Sequence, residues 1–402
     1  MFLLTAVRQV GWFNFRIWHI MLGGAVAVLI SGQISVPDAL GAINADVMLF
    51  LLGMFCVGEA MVESGYLSVL SSRFFSYART PDQVIFLILF GLGFLSAILM
   101  NDTLAIIGTP LVLSLATKFR LSPKLMLLAL ALAITTGSVM SPIGNPQNLL
   151  VAVNSRMETP FVTFGLYFLV PTLISLGIAF ILLRLFFPAD FSGRIFEHDP
   201  IRTGEKNNVF PVQCSLAIIL ILALANITAS FFGGNLLVPL PLIAVCSAVP
   251  VLLFGHDRAR LLKNIDWATL VFFAAMFVLM ESVWKTGFFQ AFVDPGMVTS
   301  VPMILITSVV ISQFISNVPF VALFQPMILQ AGGTSAQLMA LAAGSTIAGN
   351  LTVLGAASNV IIIQNAEKQG QTLTFLEFAK IGVPLTLLQF TVYWAWLSFL
   401  SF

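Results

Sequence analysis

Residues 100–103 read Met-Asn-Asp-Thr and interrupt two apolar runs, 84–100 and 104–116. A carboxylate inside that much hydrocarbon must be neutralised, paired or bound to a cation, because an isolated charge there is costly. No Lys or Arg lies within the apolar stretches flanking Asp102. Asp102 is therefore the first candidate for carrying a coupling proton or ion. Glu59 and Glu281 are further candidates for coupling. They stand near the ends of apolar runs 46–64 and 267–283, where pairing at the membrane interface accounts for them equally well.

A second polar knot, Ser316-Asn317, interrupts the run 301–331. Two further apolar segments contain helix breakers. One is "TTGSVMSPIGNPQNLL", with Gly137, Pro142, Gly144 and Pro146. The other is "STIAGNLTVLGAASN", with Gly349, Asn350, Gly355 and Asn359. Glycine and proline weaken or end a helix. In lipid, unwound backbone persists only against protein or a watery cavity. Freed N–H groups attract anions or polar oxygens, and freed carbonyls attract cations. The side chains Asn101, Thr103, Asn145, Asn148, Ser316, Asn317, Asn350, Ser358 and Asn359 at these four breaks are the candidate substrate ligands. A single Ser or Thr in such a place serves equally well as hydrogen-bond glue between helices.

The elements that position these residues follow from the composition. The 402-residue chain is 59% hydrophobic and 9% charged, with mean hydropathy +1.02. A soluble domain carries about 25% charged residues. Runs of about 20 apolar residues each suffice to cross a bilayer. An all-α polytopic membrane protein is expected, with spans near 17–35, 46–64, 125–153, 161–187, 210–231, 236–254, 267–283, 338–363 and 381–402. Re-entrant hairpins are expected at 84–117 and 301–331, and an interfacial segment at 1–16. With the N-terminus in the cytoplasm, only Arg156 and Lys285 fall outside, which satisfies the positive-inside rule. The C-terminus is then outside. Cys56, Cys214 and Cys246 have no metal-ligand spacing, so neither a metal nor another cofactor is expected. No Walker-type phosphate loop occurs, so any ATPase partner is a separate subunit. The net charge of +1 gives no reason to expect nucleic acid.

The chain also resembles itself. Met54, Phe55, Glu59 and Gly65 match Met276, Phe277, Glu281 and Gly287. Asn101 and Pro110 match Asn317 and Pro326, and Gly144 and Asn148 match Gly355 and Asn359. The repeats are then 17–187, with hairpin 84–117 and broken helix 125–153, and 236–402, with hairpin 301–331 and broken helix 338–363. Between them, 188–235 holds a cytoplasmic linker and one crossing, which turns the second repeat over. Inverted repeats with interrupted helices are a plan of secondary transporters, with substrate at the midplane between them.

These motifs resemble the ion transporter superfamily of arsenite efflux permeases, sodium/proton antiporters and divalent-anion symporters. "NDTLAIIGTPLVL" and "SNVPFVAL" look most like the two hairpin tips of arsenite permeases. "GNPQN" and "GAASN" are closer to general anion permeases. The resemblance implies a homodimer in the inner membrane and an elevator-type motion of hairpins and broken helices. It also implies export of a small inorganic ion, arsenite or antimonite, in exchange for H+. The alternatives are a sodium/proton antiporter, a sodium-coupled permease for organic anions, or a channel subunit. An enzyme is not expected, because no clustered catalytic set is present.

Overall fold

The computed structural model describes residues 9–10, 13–14, 17–66, 74–75, 78–191, 209–233, 238–255 and 257–400. Most of the expected interfacial segment 1–16 and linker residues 192–208 lie outside these. A two-residue ladder, Gln9–Val10 with Phe13–Asn14, is the one strand pairing among the described residues. Everything else regular is helical.

The first repeat comprises α1 (Ile17–Ile30), α2 (Val36–Ala42), α3 (Ala45–Glu63), hairpin arms α4 (Pro81–Ile98) and α5 (Asn101–Phe119), α6 (Pro123–Ser138), α7 (Pro146–Asn154) and α8 (Pro160–Phe186). The connecting helix is α9 (Phe210–Phe231). The second repeat follows the same order: α10 (Leu240–Phe254), α11 (Arg258–Asn264), α12 (Trp267–Thr286), hairpin arms α13 (Val301–Ile315) and α14 (Asn317–Gln330), α15 (Ser335–Leu351), α16 (Ala357–Glu367) and α17 (Phe375–Leu400). Local chemistry sets the boundaries. Pro81, Pro123, Pro146 and Pro160 open helices, where the missing N–H costs nothing. Asn44 and Asp266 cap α3 and α12, and Thr334 with Gln337 forms a capping box on α15.

Seven of the described helices are long and apolar enough to cross a membrane. Five of these coincide with expected spans, and the other two are the arms of the first hairpin, α4 and α5; the four remaining expected spans differ for a physical reason. The two broken helices are each split at their polar turns, and α1 and α10 fall short of the length of a full crossing. Four short helices among the described residues were not expected from the apolar pattern: α2, α11 and two single turns, Phe288–Phe292 and Pro295–Thr299, between α12 and α13. The final helix starts at Phe375, earlier than the apolar run at 381.

The repeats interlock. α1 packs on α12, and α3 on α10; α2 packs on α12, and α11 on α3. The returning arm of each hairpin packs on the second half of the other repeat's broken helix, α5 on α16 and α14 on α7. The first halves of the broken helices, α6 and α15, cross at the centre. Both are buried along almost their whole length. In α4, residues 87–92 widen to a π-helix, a distortion that often marks functional sites. It is followed at once by Gly93, which the backbone of α6 meets at Gly137.

Candidate functional site

Each hairpin tip meets a helix break. The Asn101 backbone N–H donates to the carbonyl of Gly144 at 3.0 Å, which joins the first tip to the turn between α6 and α7. Asn101 Oδ1 accepts from the Asp102 N–H at 2.9 Å. Asp102 is half-buried at the start of α5. Thr103 lies against α3 so closely that a Cβ at Gly58 would be 2.6 Å from its methyl. The second tip turns at Ser316, with φ 73° and ψ 160°, a region that normally admits only glycine. Beside it, Asn317 Nδ2 is 3.8 Å from where a Cβ on Gly349 would stand.

The two breaks are closed in the same way. Asn148 Nδ2 donates to the carbonyls of Ser138, Val139 and Ser141 at 3.1, 3.2 and 3.0 Å. Asn359 Nδ2 donates to those of Gly349 and Thr352 at 2.6 and 3.4 Å. These amides take up carbonyls that the interrupted helices leave without intrahelical partners. Asn145 caps α7 by accepting from the Asn148 N–H at 2.8 Å. In the second repeat, Gln313 Nε2 donates to Ala348 O at 2.8 Å, and its oxygen accepts from Thr352 Oγ1 at 2.8 Å.

Side chains then tie one break to the other. Asn145 Nδ2 and Gln147 Nε2 both donate to Thr346 Oγ1 at 3.4 Å, and that oxygen lies 3.2 Å from Asn148 Oδ1. Asn350 Nδ2 donates to Thr136 Oγ1 at 3.0 Å and to Gln389 Oε1 at 2.9 Å, and Gln389 Nε2 donates to Thr136 at 3.0 Å. Four helix N-termini, those of α5, α7, α14 and α16, begin at these tips and breaks. Their free N–H groups and dipoles favour ligand oxygens. Among the described residues, no Lys, Arg or His side chain is buried.

The structure therefore brings Asn101, Asn145, Asn148, Asn317, Asn350, Ser358 and Asn359 to the tips and breaks where α6 and α15 cross, and Ser316 forms the second tip. Thr103 faces α3. Glu59 lies next to Gly58 in α3 and is only partly buried. Glu281 lies 4.0 Å from Lys285 in a partly exposed pair, away from the breaks. Sequence reasoning passed over Thr136, Gln147, Thr346, Gln313 and Gln389. For Thr346 a signal existed: it matches Thr135 at the same spacing that relates Gly355 to Gly144.

Two inverted repeats, paired hairpins and a polar centre enclosed by apolar helices define an integral membrane transporter, not an enzyme. The sequence matches the citrate transporter family over residues 2–337. It is 28% identical over 393 residues to an uncharacterized transporter of Mycobacterium bovis, covering 91% of this chain and 90% of that one. It is 25% identical over 435 residues to the silicon efflux transporter of Oryza sativa subsp. japonica, covering 90% and 88%. It also matches the human P protein at 25% identity, over 92% of this chain and 56% of that protein. The crystal structure of the Alcanivorax borkumensis YdaH transporter superposes with TM-score 0.57 at 16% identity, covering 98% of this chain and 94% of that one. The chain belongs to the citrate transporter family of the ion transporter superfamily.

Proposed function

We propose that the protein is a secondary transporter of the inner membrane that exports a small, uncharged hydroxylated acid, arsenous or antimonous acid, in exchange for protons. The observation that carries this reading is the make-up of the central site. Amides and hydroxyls from four breaks converge there, and no buried cationic side chain joins them. A naked polyanion would meet only the partial charges of the helix N-termini in such a site, whereas hydroxyl groups find both donors and acceptors. The silicon efflux relative points to the same class of cargo. Asp102 carries the coupling proton, and Glu59 and Glu281 lie off the main route. The frame of α1, α3, α10 and α12 stays fixed in a homodimer, with the N-terminus cytoplasmic and the C-terminus outside. The hairpins and broken helices move against it as an elevator.

A second reading is a carboxylate permease coupled to H+ or Na+. The four helix N-termini and the family's citrate-transporting members favour it. Flux into proteoliposomes tests both. Arsenite, silicic acid, citrate and a dicarboxylate are supplied under separately imposed proton and sodium gradients. Proton-gradient-driven arsenite or silicic acid flux is the expected result. Sodium-driven citrate or dicarboxylate flux alone would replace the first reading with the second, and unitary currents would replace both with a channel.

A further inference from the structure

The two broken helices align without a gap. Thr135, Ser138, Ser141, Gly144, Asn145, Gln147 and Asn148 correspond to Thr346, Gly349, Thr352, Gly355, Ala356, Ser358 and Asn359. The fold respects this register, since Asn148 and Asn359 make equivalent bonds to the carbonyls of Ser138 and Ser141 and of Gly349 and Thr352. One part of the symmetry is broken. The Thr346 hydroxyl is held by three side chains, Asn145, Gln147 and Asn148. By the same register the positions that correspond to these three around Thr135 are Ala356, which has no amide, Ser358, which is shorter than Gln147, and Asn359.

The result is a set of buried polar atoms with no hydrogen-bond partner: Thr135 Oγ1, Ser358 Oγ, Asn359 Oδ1 and Asn317 Oδ1. All four side chains are no more than 5% exposed. Three of the four side chains, Thr135, Asn317 and Asn359, meet at Gly349, and Ser358 precedes Asn359 in the chain. A Cβ on Gly349 would stand 3.0 Å from Thr135 Cγ2 and 3.8 Å from Asn317 Nδ2, while Asn359 is bonded to the Gly349 carbonyl. Leaving a buried polar group unpaired costs about 1–3 kcal/mol, so these atoms, three of them on side chains that meet at Gly349, favour a ligand that satisfies them.

We infer that the cargo binds off the pseudo-twofold axis, in the second repeat's half, with a ligand hydroxyl bridging Thr135 and Asn359 beside Asn317 and Ser358. The Asn359 amide nitrogen is committed to two carbonyls, so its oxygen faces the ligand as an acceptor. Asn317 Oδ1 is an acceptor as well. Thr135 and Ser358 can each give or take a proton. A ligand hydroxyl donates to an amide oxygen and accepts from Thr135. A bare oxyanion has no proton to offer the amide oxygens and is disfavoured. The first half is already closed by Thr346, so one cargo molecule binds per chain. This inference rests on the uncharged-acid reading and assigns Thr135 and Asn359 as its specificity residues.

The test is ligand-induced thermal stabilisation of the purified protein in detergent, titrated with arsenous acid, silicic acid, citrate or sodium chloride. Thr135→Val removes the hydroxyl at nearly constant shape. It is expected to keep the unliganded melting temperature and weaken arsenous acid binding about tenfold, the worth of one hydrogen bond. Thr135→Ser should restore binding, and Ala356→Asn, which reinstates the amide found at Asn145, should abolish it. Thr172→Val, which removes a buried hydroxyl bonded to Tyr393 away from the tips and breaks, serves as the control, lowering stability without a selective loss of affinity. Wild-type affinity for arsenous acid in Thr135→Val, or Thr135-dependent stabilisation by sodium chloride alone, overturns the inference. If citrate binds and the uncharged acids do not, the proposed cargo is wrong. The slot then stands only if Thr135→Val weakens citrate binding, and falls otherwise. Binding of none of the four overturns both.

Discussion

Lys285 Nζ lies 2.7 Å from Asp38 Oδ2, and this pair has a mirror image in which the charges are exchanged. Glu63 and Lys285 occupy equivalent positions in the two repeats, as do Asp38 and Arg260; both spacings are 222 residues. Arg260 Nε lies 3.5 Å from Glu63 Oε1. Each pair joins a short helix of one repeat to the second span of the other, α2 to α12 and α11 to α3. In the proposed elevator, helices tied in this way belong to the fixed frame.

With the three native cysteines replaced, Asp38→Cys paired with Lys285→Cys should cross-link without loss of transport, because both positions lie on the frame. Gly58→Cys paired with Thr103→Cys joins the frame to the first tip and should stop transport when cross-linked. Flux in liposomes before and after reduction measures both. Transport blocked by the 38–285 link would show that α2 moves against α12. The Lys285 ammonium, hydrogen-bonded to Asp38, holds that carboxyl below the ordinary value of 3.8. The tie is therefore complete at neutral pH. Its contribution is present above that ordinary value and fades as acid takes the pH down through the lower folded value. Melting should become progressively less sensitive to Asp38→Asn as the pH falls below 3.8.

Asp102→Asn should leave folding intact and reduce proton-driven flux to background. Asp102 is the acidic residue at the tips, beside the Asn101–Gly144 contact. The amide keeps the shape and removes the titrating group. Wild-type coupled flux from well-folded Asp102→Asn protein in liposomes would assign coupling elsewhere, with Glu59 the next residue to test.

Much of this site was legible in the chain because breaks in lipid are conspicuous. Gly144, Asn148, Gly355 and Asn359 stand out against apolar neighbours, and their equal spacing revealed the repeat. Thr136 and Gln389 were not legible, and Thr346 only through its repeat match to Thr135. A lone polar residue on an apolar helix looks the same whether it glues helices together or completes a site, and only their convergence on Asn148 and Asn350 distinguishes them. The short helices α2 and α11 were hidden for another reason. They lie beyond the ends of apolar runs, and their charged residues serve equally well in a loop. Glu281 illustrates the converse. It matched Glu59 in the repeat, yet Lys285 lies one turn away and draws it into a partly exposed pair.

Gly137→Ala should destabilise the protein by about 1–3 kcal/mol, the usual cost of overpacking. The added methyl would strike the backbone of Gly93, directly after the π-helical turn of α4. No flexible side chain stands there to give way. A lowered melting temperature in detergent is the readout. Gly177, with nothing within 4 Å of its would-be Cβ, is the control, and its replacement by alanine should leave melting almost unchanged.

Ser316→Gly should do the opposite. Ser316 holds φ 73° and ψ 160° at the second tip, a conformation that costs a non-glycine residue about 1–3 kcal/mol. Glycine relieves the strain in the folded state and adds freedom to the unfolded chain, so the gain is the difference of the two. The expected outcome is a higher melting temperature with weaker cargo binding, since the tip is held less firmly. An unchanged or lower melting temperature would mean that the serine side chain contributes more than its backbone costs.

The last expectation concerns thiols. Trivalent arsenic is soft and favours thiolate ligands, so an arsenite carrier invites the idea of a cysteine site. Cys56 is buried in α3, Cys214 lies in α9 and Cys246 in α10. None belongs to a tip or a break, and no cluster of three or more His, Cys, Asp or Glu suited to a metal occurs among the described residues. The polar centre offers amide and hydroxyl groups in their place. These bind a hydroxylated acid more weakly and release it faster, as a carrier requires. Replacing Cys56 and Cys246 by Ala and Cys214 by Ser should give a folded protein that moves arsenite at a rate near wild type. Loss of arsenite flux in the folded triple variant would refute recognition through hydroxyls and require a thiol relay between α3, α9 and α10. Retention places the whole of cargo recognition where the four breaks meet.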